Sequence, residues 1–440
     1  MNGWVRLDET SEVPLYRQLY ESLRASILQG LFLKGDRLPP TRELATELNL
    51  NRATVSAAYA LLESEGLIRG HVGRGSFVLG APPAEVKSED SISFATSRPL
   101  EEMFPVEDVR ATMREVASDP SLTTLLQLGS AQGYAPLRKY LGGEDVLITS
   151  GCQQALDLLQ RVLAPAGATV LVDDPTYPGI KNVFEPAGVT LAPLPDAPAG
   201  AALAIVVPNF HNPTGHTMTL GERERLLRQA RDRGFLIVEI DLYTRLRYGG
   251  GEAPSLAEMD GDGRVIQIGS FSKVAFPGLR TGWIKARRDI VRRLTEAKQR
   301  TDLHSDQLSQ AVLLRFAESG RLDAHIARVV ELGRRQLSAA LASLEAEMPA
   351  GTRFTRPEGG MNLWVTLPAP LDAAALLAAA QQAGVSYLPG RYFEVAHHDA
   401  GSFRLSFGGL TPERIREGVA LLGKVFRAQA PLPELATAIV

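Results

Sequence analysis

The stretch Val265-Ile266-Gln267-Ile268-Gly269-Ser270-Phe271-Ser272-Lys273-Val274-Ala275-Phe276-Pro277-Gly278-Leu279-Arg280-Thr281-Gly282-Trp283 decides how this chain is read. Val265 to Ile268 is an apolar run of strand length and reads as a buried strand. A glycine-punctuated loop follows it, carrying two hydroxyls, one lysine and one arginine. Together these suit an aldehyde that bears a phosphate: the lysine amine condenses with the aldehyde, while serine and arginine hold the phosphate. The tripeptide Ser272-Lys273-Val274 alone favours a solvated loop, so its structural context decides the matter.

That context is a series of similar runs. Val146 to Ile148, Thr169 to Val172, Ala202 to Val207 and Phe235 to Ile240 are continuous apolar stretches, as strands covered on both faces require. Helical patterns separate several of them, and Thr149-Ser150-Gly151-Cys152 opens one with Leu156, Leu158, Leu159 and Leu163. This predicts an α/β sheet domain, largely parallel, with ligands expected at the strand C-termini. Further on, Phe354 and Pro357 to Val365 begin a smaller region, and Ser402 to Phe407 alternates like a half-buried strand.

The chain has 440 residues, enough for two or three domains. A net charge of −3 argues against broad polyanion binding, so any nucleic-acid contact has to be local. The one cysteine, Cys152, excludes an intrachain disulfide and fits a reducing cytoplasm. Met1 to Thr10 lacks an apolar signal core, and no run suggests a membrane span. A cytoplasmic protein without a membrane partner or metal site is expected. No internal repeat or low-complexity tract is evident.

Residues 1–80 have a different grammar. Leu15, Leu19, Leu23, Ile27 and Leu28 lie at helical spacing within Pro14 to Gly30. A second helix opens near Thr41, taken as its N-cap, and Asn49 breaks it. A third starts at Asn51-Arg52-Ala53-Thr54 and runs to about Ser64. Gly66 to Gly70 and Gly73 to Val78 then read as a β-hairpin, so the region is a helix-turn-helix with a wing. Acidic and basic residues balance here, but Arg69, His71 and Arg74 face no acid between Gly66 and Gly80. Proline-rich 81–92 reads as a linker.

Leu38-Pro39-Pro40-Thr41-Arg42-Glu43-Leu44-Ala45, Arg52-Ala53-Thr54-Val55 and Gly73-Arg74-Gly75-Ser76-Phe77-Val78 resemble the DNA-binding domain of GntR-type winged-helix regulators. The resemblance puts Arg42, Asn51, Arg52 and Thr54 against double-stranded DNA, with Arg69, His71 and Arg74 in the wing. Residues 145–409 resemble fold type I pyridoxal-phosphate enzymes of the aminotransferase kind. The two modules together resemble MocR/GabR-type regulators. The expected fold is therefore α/β. A winged helix (1–80) and linker (81–92) precede an aminotransferase-like domain (93–430), with a short tail (431–440). That domain is expected to hold a mostly parallel, seven-stranded-type sheet with helices on both faces. A small α+β subdomain is expected at about 350–430.

The same resemblance assigns a site for pyridoxal 5'-phosphate. Lys273 matches the Schiff-base lysine; Ser270, Ser272 and Arg280 match phosphate ligands, with Gly151, Cys152 and Gln153 at a helix start beside them. Asp241 matches the partner of the pyridine nitrogen, Tyr243 and Asn212 the partners of the phenolic oxygen, and Tyr177 the stacking ring. Arg404 matches the arginine that clamps an effector or substrate carboxylate. Leu128 stands where the family usually has a tyrosine that crosses a homodimer interface, and the segment 137–148 is short. The resemblance implies a DNA-binding regulator sensing an amine, an amino acid or the cofactor itself. The alternative is a working aminotransferase using a 2-oxo acid acceptor.

Overall fold

The structure, a computed structural model, describes residues 13–28, 32, 36–64, 67–71, 75–78, 91–194 and 200–429. Calls on residues 81–90, on the tail 431–440, and on Gly73 and Arg74 lie outside them. The chain divides into two compact units, residues 1–87 and 88–440.

In the first unit, three helices (Leu15–Leu28, Thr41–Glu47, Arg52–Ser64) precede a two-stranded antiparallel ribbon, β1 (Ile68–His71) and β2 (Gly75–Val78). Leu19, Leu23, Leu44, Val55, Ala58 and Leu62 are fully buried in one core. The turn between the second and third helices uses Asn49 at φ +53, a left-handed conformation that asparagine tolerates. The second helix differs from expectation at its start. Pro40 is its N-cap and Thr41 its first helical residue, with no side-chain cap. Proline serves because its fixed φ suits a helix entry. The third helix is capped by Asn51, whose Oδ1 accepts from Ala53 N–H at 2.9 Å.

The second unit is built on a seven-stranded sheet. Its strands are β4 (Val146–Thr149), β5 (Thr169–Val172), β6 (Thr190–Pro193), β7 (Leu203–Val206), β8 (Leu236–Asp241), β9 (Val265–Ser270) and β10 (Gly282–Lys285). Their order is β4-β10-β9-β8-β7-β5-β6, with β10 antiparallel to both neighbours and every other pair parallel. The continuous apolar runs are explained by cover on both faces. Val170, Ile205, Val238 and Ile268 join a core with the Cys152–Leu163 helix, while Leu171, Ala204 and Ile237 join another with Leu226 and Ala230 of the Leu220–Arg233 helix.

A smaller antiparallel sheet, β11 (Arg353–Phe354), β12 (Asn362–Thr366), β15 (Ser402–Ser406) and β14 (Leu388–Pro389), is ordered β11-β12-β15-β14. The Pro412–Gln429 helix packs against this layer. Here β15 is interior and all five of its residues are buried, so the half-buried strand expected from alternation is corrected. Its polar residues are inside because they bond there: Ser406 Oγ donates to Asn362 Oδ1 at 2.6 Å, and Thr366 and Ser402 hydroxyls are 2.9 Å apart. Ile92, assigned by sequence to the linker, is likewise part of the fold. It is 1% exposed and forms β3 (Ile92–Ser93), paired in parallel with β13 (Val385–Ser386).

Candidate functional site

The C-terminal ends of β8 and β9 bring the candidate residues to one edge of the large sheet. Asp241 is the last residue of β8, and Ser270 the last of β9. Beyond β9 the chain turns tightly. Ser270 Oγ lies 3.0 Å from both Ser272 Oγ and the Thr281 carbonyl oxygen, and accepts from Ser272 N–H at 3.1 Å. The turn ends at Arg280, whose backbone has φ +46. A non-glycine residue held in that region is strained, and such strain clusters at ligand sites.

Arg280 folds back onto the loop before the Cys152–Leu163 helix. One guanidinium nitrogen donates to the Ser150 carbonyl at 3.3 Å. Gly151, at φ +86, makes this approach possible, because a Cβ there would sit 2.7 Å from that guanidinium. An α-helix leaves its first N–H groups without intrahelical partners and with a favourable dipole for anions. Two hydroxyls, a guanidinium and a helix start thus converge, a donor set suited to a phosphate dianion. Gln153 contributes at most its backbone here, since its side-chain amide donates to the Gly179 carbonyl at 3.1 Å. Cys152 is the first residue of the helix, and the protein packed around its thiol pushes the pKa up to about 12. That thiol stays protonated and is no nucleophile at neutral pH.

Lys273 Nζ donates to the carbonyl oxygen of Ser97, and Ser97 Oγ is 3.5 Å from Tyr243 Oη. Tyr177 lies within electrostatic reach of Cys152, Tyr243, Arg404 and Arg280, and Cys152 within reach of Lys273 and Arg280. Tyr177 is pushed up to about 12, mainly by burial. Asp241 is also raised, by burial first, against bonding from Thr244 that lowers it. Thr244 Oγ1 in turn accepts from Asn209 Nδ2 at 2.7 Å, and Asn209 Oδ1 accepts from Arg223 at 2.7 Å. Arg223 is fully buried and also donates to the carbonyls of Met218, Pro254 and Pro208. It is the fixed end of a chain that orients Asp241.

Arg404 is 4% exposed and projects from β15 toward the same place. It donates to Asn212 Oδ1 at 3.0 Å and to the Ala95 carbonyl, lies 5.1 Å from the Phe393 ring centroid, and leaves its Nε without a partner. Burial lowers its pKa to about 10. A buried cation bonded only to neutral acceptors has capacity left for a carboxylate. His211, given no role by sequence, is buried with Nδ1 2.8 Å from Thr214 Oγ1, and burial pushes it down to about 3, so it is neutral.

Sequence reasoning missed the segment 95–97. Ala95 and Ser97 offer only backbone carbonyls to Arg404 and Lys273, and a carbonyl leaves no trace in residue identity. It also missed Arg223, Asn209 and Thr244, for which the buried arginine was a usable signal only once burial was known. Leu128 is 79% exposed, next to exposed Leu126, and Gln307 ties this segment to exposed Leu303 and Leu308 through the Gln127 carbonyl at 2.9 Å.

In the first unit, Arg42, Asn51, Arg52 and Arg69 are exposed and Thr54 is half-buried. Asn51, Arg52 and Thr54 share the start of the third helix, and Arg69 is in β1. His71 gives its backbone to β1, its side chain lying outside the described residues, as does Arg74. Among the described residues no helix is long and apolar enough to cross a membrane.

Residues 89–422 match the family Aminotransferase class I and II, and residues 15–78 match Bacterial regulatory proteins, gntR family. The chain is 37% identical over 377 residues to Aromatic-amino-acid aminotransferase 1 of Thermococcus litoralis, covering 78% of this chain and 90% of that protein. It is 29% identical to the Probable rhizopine catabolism regulatory protein MocR of Rhizobium meliloti, covering 96% of each. Among solved structures, the α-aminoadipate aminotransferase LysN of Thermus thermophilus, complexed with N-(5'-phosphopyridoxyl)-L-leucine, is 34% identical with a TM-score of 0.72. That match covers 77% of this chain and 93% of LysN.

Proposed function

Because the chain belongs to the class I and II aminotransferase family and carries a GntR-type DNA-binding domain in front of it, we propose that it is a pyridoxal 5'-phosphate-dependent transcription regulator. It would sense an amine or amino acid, or the cofactor itself. The observation that supports this reading is a winged helix in one chain with a cluster where Tyr177 lies near Tyr243, Arg404 and Arg280, and Ser97 links Lys273 to Tyr243. When bound, the cofactor supplies an aldehyde that condenses reversibly with primary amines and a ring that withdraws electrons.

The chain's own residues divide the remaining work. Ser270, Ser272, Arg280 and the N–H groups of Gly151, Cys152 and Gln153 hold the phosphate. Asp241, kept in orientation by Thr244, Asn209 and Arg223, accepts from the pyridine nitrogen. Tyr243 and Asn212 would bond the phenolic oxygen, and Tyr177 would stack on the pyridine ring. Lys273 would provide the amine for the cofactor's aldehyde, and its free Nζ donates to the Ser97 carbonyl. Arg404 receives the ligand carboxylate.

A homodimer belongs to this reading: a second copy covers Leu126, Leu128, Leu303 and Leu308, an apolar patch a lone copy would leave in water. Two winged helices then meet paired DNA half-sites. The protein is expected to act in the cytoplasm. The test is footprinting on DNA upstream of its own gene, with and without pyridoxal 5'-phosphate. Protection of paired half-sites that changes with the cofactor in wild type, and does not change in Lys273→Ala, is the expected result. Protection indifferent to cofactor and to Lys273 refutes the regulator reading.

A second reading, a working aminotransferase, is favoured by Lys273, Asp241, Tyr243, Asn212 and Arg404 all being present. Sustained turnover of an amino donor with 2-oxoglutarate supports it, and ligand binding without turnover supports the sensor.

A further inference from the structure

Three side chains outside the ligand-facing set form a continuous relay behind the phosphate loop. Ser150 N–H donates to Gln154 Oε1 at 2.7 Å. Gln154 Nε2 donates to Asp302 Oδ2 at 2.6 Å, and Asp302 Oδ1 accepts from Lys298 Nζ at 2.7 Å. Lys298 is fully buried within the Arg288–Asp302 helix, whose C-terminus leads into the loop carrying Ser305. Ser305 Oγ is 3.1 Å from Ser150 Oγ, so the loop is tied from that side twice.

We propose that Gln154, Asp302 and Lys298 are positioning residues that fix the Ser150-Gly151 backbone for phosphate, and so select a phosphorylated aldehyde over its unphosphorylated form. This rests on the cofactor reading above. An amide side chain is nearly symmetric in shape, and flipped by half a turn it would press NH2 against the Ser150 N–H. The Asp302 carboxylate accepts only, so it forces the donor end of Gln154 toward itself and the oxygen toward Ser150. With Ser150 N–H satisfied and its carbonyl held by Arg280, the next N–H groups, at the helix start, are left aimed outward. Lys298 completes the relay by neutralising a carboxylate that would otherwise repel a phosphate dianion. A lysine with no exposed surface is otherwise a costly residue to keep in a helix interior. None of the three touches Lys273, Asp241 or Tyr243, so the relay serves the phosphate end alone.

The experiment titrates full-length protein with pyridoxal 5'-phosphate and, separately, with pyridoxal, reading Trp283 and bulk tryptophan fluorescence together with visible absorption. In Q154E two carboxylates face each other; in D302N the acceptor that orients Gln154 is lost. Each is expected to lose roughly tenfold in affinity for the phosphate ester, the scale of one charge-assisted hydrogen bond, with pyridoxal affinity unchanged. The double variant Q154E/D302N reverses donor and acceptor within the same bond and is expected to bind the ester better than Q154E. Equal loss for both aldehydes reveals a general structural role and overturns the proposal, as does an unchanged preference or a double variant whose losses add. K298M, which keeps the Gln154–Asp302 bond, checks the charge step: an unaltered preference for the ester refutes that step. If wild type itself does not distinguish the two aldehydes, the cofactor reading fails and the proposal falls with it.

Discussion

Arg404→Met is the substitution that best separates a ligand-binding arginine from a structural one. The buried guanidinium has its pKa lowered from the ordinary arginine value to about 10, chiefly by desolvation. That corresponds to about 3 kcal/mol disfavouring the cation inside the protein. Replacement by methionine relieves this cost but leaves Asn212 Oδ1 and the Ala95 carbonyl without a donor, about 1–3 kcal/mol each. The two effects largely offset, so stability without ligand is expected to fall by about 1 kcal/mol at the middle of these ranges and by about 3 kcal/mol at most. An arginine whose charge is compensated in the fold would instead cost about 3–5 kcal/mol to remove. The linkage sign supports a neutral-pH comparison. A base with a depressed folded pKa binds fewer protons folded than unfolded between about pH 10 and the ordinary arginine value, so stability rises with pH only there. Across neutral pH the penalty is fully present and constant. Ligand binding should behave oppositely. Loss of a two-donor contact to a carboxylate is expected to cost about 3 kcal/mol, roughly a hundredfold in amino-acid affinity. Urea unfolding of the holoprotein, with and without an amino-acid ligand, reads both quantities. A large ligand-free loss with amino-acid affinity intact would refute this reasoning.

Other substitutions probe separate parts. Asn51→Ala removes the cap on the Ala53 N–H and should destabilise the winged helix by about 1 kcal/mol, visible in thermal melts of the first transition. Arg52→Ala, at an exposed site on that helix start, should weaken DNA binding about tenfold in gel-shift titrations without lowering the melting temperature. Arg223→Met strands four carbonyl-type acceptors and should destabilise the second unit by about 3–5 kcal/mol, measured by urea unfolding. Cys152, the sole cysteine, has a thiol raised to about 12 by burial, so its thiolate is scarce throughout the neutral range. Iodoacetamide labelling at neutral pH should run at least about a hundredfold slower than for a free thiol, and a rate like that of free cysteine would contradict the packing.

Much of this was legible because strand ends and site residues coincide in an α/β sheet. Val265 to Ile268 and Phe235 to Ile240 could be read from runs of apolar residues, the family resemblance singled out Asp241 and Ser270 just beyond them, and the structure makes each the last residue of its strand. The winged helix was legible from its apolar spacing and from Asn49. What stayed hidden depends on long-range burial. Ser402 to Ser406 looks half-polar in sequence because nothing local says that Asn362 and Thr366 will satisfy its hydroxyls. Thr41 reads as a cap because threonine is a good one, whereas in the structure the extended Pro40 holds that position. Backbone acceptors such as those of Ala95 and Ser97 have no residue signature at all.

The state of Arg404 also bounds how strongly an effector can signal. A ligand shifts an equilibrium only by its difference in affinity for the two states, however tightly it binds overall. An amine that engages Lys273 alone leaves Arg404 on its neutral acceptors. On the proposed reading, an amino acid would add a carboxylate to a buried cation that has an unpartnered Nε. That extra contact is worth about 2–3 kcal/mol, enough to change a ratio of two states by roughly 30- to 150-fold. It can be spent on selectivity only if the resting contacts stay weak. Pairing Arg404 with a resident carboxylate would stabilise the ligand-free protein and remove the difference. Burial of an arginine among neutral acceptors is therefore better explained by recognition than by stability.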